Sequence, residues 1–332
     1  MSISEPKKRC GLCSKQMQRW GTTLSGKPRW RCGSCKKSSI RKRKDNREMS
    51  RLFLFIKWLT TKTSLEEIAL FKKISVRTLL RWFEPFWLIP PQPQITTDAR
   101  VLVLDGTSVV KRKLMLLIAG DGDQHIPIFW SDVHRECFDT WGTFLCYLLM
   151  CHVQPEYIVC DGQKGLLKAI REVYPNAKIQ RCVIHIIRQS NRWLTKNPKK
   201  RAGRELLVLV KQLPQIQTKR QKRRWIRSFK YWCKRHDKFL KERSYGPTGR
   251  WWYTHRRLRG TRSLIKNAIP DLFRHVSDPT VPKTSNHVEG GLNARLKELF
   301  RCHRGLSPQK KLVLAAWYLA LRQGQKPTQN VH

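Results

Sequence analysis

Val101-Leu102-Val103-Leu104-Asp105-Gly106 opens, and Tyr157-Ile158-Val159-Cys160-Asp161-Gly162 closes, the stretch whose reading decides the fold. Each is a short apolar run that ends in an aspartate followed by glycine. Continuous apolar runs of this length, bounded by turn residues, read as buried strands. A carboxylate closing such a strand is costly if desolvated and unpaired, so it needs exposure at the strand tip, a cationic partner or a bound cation. One Asp-Gly is only a turn signal. Two at matching strand ends point instead to a shared divalent ion.

Working outward, apolar patterning predicts strands over 101–105, 114–119 and 125–130, with hairpin chemistry in Gly120-Asp121-Gly122-Asp123. A helix over 139–151, a strand over 157–161, a helix over 163–173, a strand over 177–181 and a helix over 182–194 follow. Three antiparallel strands and then alternating helix and strand make a ribonuclease-H-like α/β layout, a mixed five-stranded sheet with flanking helices. In that sheet the first strand lies beside the fourth, so Asp105 and Asp161 project together although 56 positions apart. Magnesium favours such oxygen ligands, and two ions can serve an in-line phosphoryl transfer. A third carboxylate is expected from a helix over 284–301, and Glu289 in Ser285-Asn286-His287-Val288-Glu289-Gly290-Gly291-Leu292-Asn293 is the choice. Glu298 is its rival, but nine helical residues at about 100° each put it on the opposite face. The plain alternative for Glu289 is an acid stabilising a helix N-terminus.

The flanks divide the rest of the chain. Residues 1–45 hold Cys10-x-x-Cys13 and, after eighteen residues, Cys32-x-x-Cys35, the spacing of a zinc ribbon. Its apolar content is too low to fold by burial, so the Zn2+ ion must supply most of the folding free energy. Arg41-Lys42-Arg43-Lys44 suits phosphate contact or a solvated linker. Residues 46–89 show helical spacing for three helices, with a capping box at Ser64 and Glu67 and a cap at Ser75. The last two resemble a helix-turn-helix carrying Arg77 and Arg81, against the alternative of a helical spacer. Pro90-Pro91-Gln92-Pro93 marks a stiff linker over 90–100, and the core's first part runs over 101–197. Residues 198–283 turn basic and helix-forming, with Trp225, Trp232, Trp251 and Trp252, and are expected to be an inserted all-α domain. Residues 284–322 return to the core as helices, an amphipathic one over 308–321 among them, and 323–332 is a tail.

The 332 residues suggest about two domains. Sixty-eight Lys and Arg against 23 acids give a formal charge of +45, which makes a polyanion, nucleic acid first, the expected partner. No apolar run reaches the roughly 20 residues of a membrane span, and no signal peptide is read, so no membrane is expected. Eleven cysteines, an odd number with four in metal-ligand pairs, suit a reducing cytoplasm better than a disulfide scaffold.

Over residues 101–317 the sequence resembles a DDE transposase of bacterial insertion sequences, of the Mutator-like group. Four elements carry the resemblance: Leu104-Asp105-Gly106, Val159-Cys160-Asp161-Gly162, Arg181-Cys182-Val183-Ile184-His185 and Thr284 through Gly291 around Glu289. It implies a ribonuclease-H-like catalytic domain with a helical insertion between the second and third acids. It also implies Asp105, Asp161 and Glu289 as a catalytic triad holding two Mg2+ or Mn2+ ions. The implied reaction is hydrolytic cleavage at transposon ends followed by joining of the 3′-hydroxyl to target DNA. Terminal inverted repeats and target duplex are the implied partners of a dimer or higher oligomer, in a bacterial, nucleoid-associated setting. Cys182 and His185 match a group motif and share a helix face; they are a structural pair or a contact to zinc or phosphate, since two ligands alone close no zinc site. Arg304, in His303-Arg304-Gly305, can meet a phosphate or stay solvated. Trp251, Trp252 and Arg256 combine aromatic faces with guanidinium for unpaired bases, core packing being the other fate of tryptophan. Two other classes compete: a zinc-ribbon and helix-turn-helix regulator without catalysis, and a nuclease that cuts without joining.

Overall fold

The computed structural model describes residues 9–10, 13, 15–40 and 46–324; the basic run over 41–44 lies outside them. The chain divides between Phe55 and Ile56 into two units. In the first, β1 (Met17–Thr22), β2 (Pro28–Cys32) and β3 (Ser38–Ile40) form an antiparallel sheet in that order. Its buried centre is Cys10, Met17 and Cys32, with Cys13, Trp30 and Cys35 packed against them.

Helix α1 (Asn46–Thr60) precedes α2 (Leu65–Lys72) and α3 (Val76–Leu88). The expected capping box is present: Glu67 N–H donates to Ser64 Oγ at 3.1 Å and Ser64 N–H donates to the Glu67 carboxylate at 2.8 Å. Lys73, at φ 54°, turns the chain in the left-handed region, and Ser75 caps α3. Within the second unit, the end of α1 and helix α3 are tied to its C-terminal part. Trp317 Nε1 donates to the Phe86 carbonyl at 3.0 Å and Arg295 donates to the Thr60 carbonyl at 2.7 Å. The 90–100 segment has no regular secondary structure, and Gln323 clamps it by bonding both the N–H and the carbonyl of Gln94.

The central sheet is built from β4 (Val101–Val110), β5 (Leu114–Asp121), β6 (Pro127–Val133), β7 (Tyr157–Cys160) and β8 (Lys178–Arg181). Its order is β6-β5-β4-β7-β8, antiparallel through the first three and parallel from β4 to β7 to β8. Helices α4 (Phe138–Met150) and α5 (Lys164–Val173) make the two crossovers and bury Trp141, Leu145, Leu148, Leu166 and Ile170 with Leu102, Leu104, Leu117 and Ile158. A parallel pair needs such a crossover, and a sheet covered this way reads as unbroken apolar runs.

After α6 (Val183–Leu194) come α7 (Arg201–Gln212), α8 (Lys219–Arg235) and α9 (Asp237–Leu240), then β9 (Arg243–Tyr245) and β10 (Trp251–Tyr253), then α10 (Arg256–Ala268) and α11 (Arg274–Ser277). The expectation of an all-α insertion is therefore corrected, because β9 and β10 pair as an antiparallel hairpin. Gly246-Pro247-Thr248-Gly249, with Gly249 at φ +73°, supplies a turn that no helix tolerates. A single core of Leu206, Val210, Trp225, Phe229, Trp232 and Ile265 closes this region. The described residues close with a π-helix (His287–Asn293), α12 (Ala294–Cys302) and α13 (Pro308–Arg322).

Candidate active site

The register of β4 against β7 pairs Val101 with Tyr157, Leu102 with Ile158 and Val103 with Val159. Continued by two residues, the same offset sets Asp105 opposite Asp161. Asp105 is not a strand end, as the sequence suggested, because β4 runs on to Val110 against β5. β7 stops instead at Cys160, and the side chains project where β4 loses its neighbour on that edge. Asp105 is 8% exposed, and Asn293 Nδ2 donates to its Oδ2 at 2.6 Å. Burial is the main reason its pKa is pushed up to about 6; His185 opposes the rise and Asp161 adds to it. Asp161 Oδ1 accepts the Gln163 N–H at 2.8 Å, which fixes the carboxylate at the start of α5.

A further carboxylate, Glu136, joins them from the loop between β6 and α4. Burial and the nearby Asp161 raise its pKa, and His185 lowers it. A Cβ on Gly106 would fall on Glu136 Oε1, so the absence of a side chain there is what admits the glutamate. No periodicity marks a loop glutamate; the only sequence signal was the glycine after Asp105.

Glu289 and Asn293 both belong to the π-helix. Such wide turns are rare and frequent at functional sites. Glu289 Oε1 pairs with Arg188 of α6, and its Oε2, buried without a hydrogen-bond partner, lies 3.8 Å from His185 Nε2. His185 in turn feels the charges of Asp105 and Asp161. The structure thus brings Asp105, Asp161 and Glu136 within electrostatic reach of one another and of His185, while Glu289 meets the group through the imidazole. Glu298 is elsewhere, paired with Arg295 at 2.6 Å and Lys62 at 3.5 Å.

Cys182 caps α6 and accepts the Ser285 N–H at 3.4 Å, and Val183 N–H donates to the Lys283 carbonyl. Burial works against ionising the thiol, yet His185 and Ser285 hold it below the ordinary thiol range. Cys182, His185 and Glu289 lie close enough to share one ion. The bonds from Ser285 to the Cys182 thiol and from Val183 to the Lys283 carbonyl tie the segment leading into the helix of Glu289 to the start of α6.

In the first unit, Sγ of Cys10 and Cys35 are 3.5 Å apart, Cys13 and Cys32 3.4 Å, and Cys13 and Cys35 3.6 Å. Four thiolates around a zinc at about 2.3 Å stand roughly 3.8 Å from one another. The cluster can hold a metal ion.

The remaining residues singled out in the sequence do not join the carboxylate cluster. Arg77 and Arg81 are exposed on α3, and Arg256 and Arg304 are exposed. Trp225 and Trp232 are core residues whose indole N–H groups donate to Leu209 and Ala202 carbonyls. Trp251 and Trp252 are 44% and 42% exposed on the hairpin, with the Arg243 guanidinium 4.1 Å above the Trp251 ring.

Fold and site together define an α/β protein that gathers carboxylates where β7 ends beside the middle of β4. Residues 63–241 match the family described as "Transposase, Mutator family", more than half of the chain, and the chain belongs to that family. The match contains Asp105, Glu136, Asp161, Cys182 and His185 and stops short of Glu289. A probable transposase for an insertion sequence element of Corynebacterium diphtheriae is 28% identical over 206 residues, 58% of this chain and 60% of that protein. The transposase for insertion sequence element IS256 in transposon Tn4001, from Staphylococcus aureus and Enterococcus faecalis, is 33% identical over 100 residues, 29% of this chain and 25% of that protein. The matches thus span 60% or less of these curated relatives. Among solved structures, the Drosophila P element transposase strand transfer complex aligns with a TM-score of 0.32 at 15% identity, covering 84% of this chain and 79% of that one. At that score the fold rests on this chain's own sheet order. No helix among the described residues is long and apolar enough to cross a membrane.

Proposed function

We propose that this chain is the DDE transposase of a bacterial insertion sequence, binding transposon ends and catalysing metal-dependent cleavage and 3′-hydroxyl strand transfer into target DNA. The observation that carries the reading is the apposition of Asp105 and Asp161 across β4 and β7. A sheet of order third-second-first-fourth-fifth supports a ribonuclease-H-like core, and the cysteine cluster supports a zinc ribbon.

The residues suit a divalent ion: a buried Asp105, a buried and unbonded Glu289 Oε2, and a carboxylate of Glu136 seated where Gly106 has no side chain. Asp105, Asp161 and Glu289 would hold Mg2+ or Mn2+, with Glu136 beside them. Ions bound there would supply the Lewis acidity that activates an attacking oxygen and stabilises a leaving one. The chain's own contribution is positional. Asn293 fixes Asp105, Gln163 fixes Asp161, and Arg188 with His185 offsets the repulsion that gathering these acids creates.

Incubating the protein and Mg2+ with a plasmid and an oligonucleotide bearing a pre-cut 3′-hydroxyl end tests the proposal. Joined product is expected. Cutting without joining would favour a nuclease, and binding without either would favour a regulator. Glu136→Gln is expected to weaken Mn2+ binding about 10–100-fold, the range seen for residues that support metal ligands. Gly106→Ala should do the same by displacing Glu136, and the double variant should be no worse than either. Titration calorimetry reads this without turnover, and unchanged affinity in both would make Glu136 a bystander.

Trp252→Ala is expected to weaken binding to a flayed transposon end by about 1–3 kcal/mol per stacked base. Plain duplex should lose much less by fluorescence anisotropy, and equal losses would refute stacking.

A further inference from the structure

Helix α8 carries nine Lys and Arg in 17 residues and no acid. Its burial pattern splits these sharply. Trp225, Phe229 and Trp232 are buried, while Arg220, Arg223, Arg224, Arg227, Lys230 and Lys234 are exposed and recur at three- and four-residue steps along the opposite face. Like charges at that spacing destabilise a helix, and Lys219, Arg220 and Lys222 stand at the end where the macrodipole disfavours cations. Local stability therefore does not explain the composition. The helix is instead held by a Thr218–Gln221 capping box and by indole bonds from Trp225 and Trp232 to the α7 backbone.

Nor do neighbouring acids neutralise the row. Residues 198–283 contain 25 Lys and Arg and five acids. Each acid is engaged elsewhere, as Glu205 is with Arg201, Arg235 and His236 and Asp237 with Lys241 and Arg262. Glu242 pairs with His255, Asp271 with Arg171 and Arg274, and Asp278 with Arg100. Among the described residues none of the six exposed cations forms an ion pair.

We infer that the exposed face of α8 is a backbone-binding rail for duplex DNA, an inference that rests on the transposase reading and names a surface it leaves unassigned. The helix is about 25 Å long at 1.5 Å per residue, so it presents a cation roughly every 3 Å. Duplex DNA presents a negative charge about every 1.7 Å, a density of the same order. A membrane surface is the poorer partner, because an interfacial helix must offer its apolar face to lipid and here that face is packed in the core. Unpaired bases are poorer too, since Tyr231 is the one aromatic ring on the exposed face.

The test is the salt dependence of duplex binding by the full chain and by an Arg220→Gln/Arg223→Gln/Arg224→Gln/Arg227→Gln variant. Four lost phosphate contacts should make the slope of log K against log salt shallower by about 3.6. Circular dichroism should show undiminished helicity, because the changes are exposed and relieve repulsion. A slope unchanged for duplex DNA would overturn the inference, as would a loss confined to duplex RNA or to vesicles of anionic lipid. If the unaltered chain fails to bind duplex at all, the transposase reading falls with it. Binding by the unaltered chain with no effect of the four substitutions would sink the rail alone.

Discussion

Asp161→Asn is expected to abolish cleavage and strand transfer, by at least about 10³-fold, while DNA affinity stays equal or rises. The magnitude follows from losing a carboxylate ligand at a site where metal stabilises the transition state by several kcal/mol, each 1.36 kcal/mol being tenfold in rate. The direction of the binding effect follows from charge. Asp105, which is buried, and Glu136 and Asp161, which are half-buried, form a negative group that would face the phosphodiester, and neutralising one member lessens repulsion. Asp161 suits this experiment better than Asp105. Its Oδ1 needs only to accept the Gln163 N–H, which an asparagine carbonyl still does, whereas an amide at position 105 would have to keep an acceptor toward Asn293 Nδ2. The variant should therefore fold, with a melting temperature equal to or above that of the unaltered protein. Gel assays of cleavage and joining, with anisotropy for binding, check the two halves separately. Retained turnover with Mg2+ would remove Asp161 from the chemistry.

The core was legible because its apolar runs are nearly continuous and its connections short. Leu102, Leu104, Ile158 and Ile179 are buried because helices cover the sheet, and that burial is what makes 101–105 and 157–161 stand out in a basic chain. Adjacency of β4 and β7 then follows from crossover logic, and Asp105 and Asp161 come with it. Glu289 was harder to place, since a count of 100° per residue presumes a regular helix and residues 287–293 wind more widely. Glu136 was missed because irregular loops carry no period; its place depends on Gly106, far off in sequence. The β9–β10 hairpin was obscured by helix-forming neighbours, although Gly246-Pro247-Thr248-Gly249 between two short alternating runs was a usable turn signal.

Cys32→Ser, or prolonged chelation, is expected to unfold the sheet of residues 17–40 altogether. Its strands are six, five and three residues long, and among the described residues its buried apolar centre is Cys10, Met17 and Cys32. Burial on that scale cannot offset about 1–2 kcal/mol of backbone entropy per ordered residue. A structural zinc contributes apparent binding free energies of about 10–16 kcal/mol at neutral pH, enough to reverse the balance. Cys32 is the telling position because it is fully buried, and the backbone N–H of Cys35 and the Cys13 side chain help hold its thiol below the ordinary range, the form a metal requires. Serine would remove one of four soft ligands and leave a polar hydroxyl in the same buried place. Mass spectrometry under native conditions should find one zinc per chain, and hydrogen exchange should show protection across 17–40 collapsing when it is stripped. Protection that survives a measured loss of metal would mean that the sheet stands on its own packing and that the four sulfurs converge for another reason.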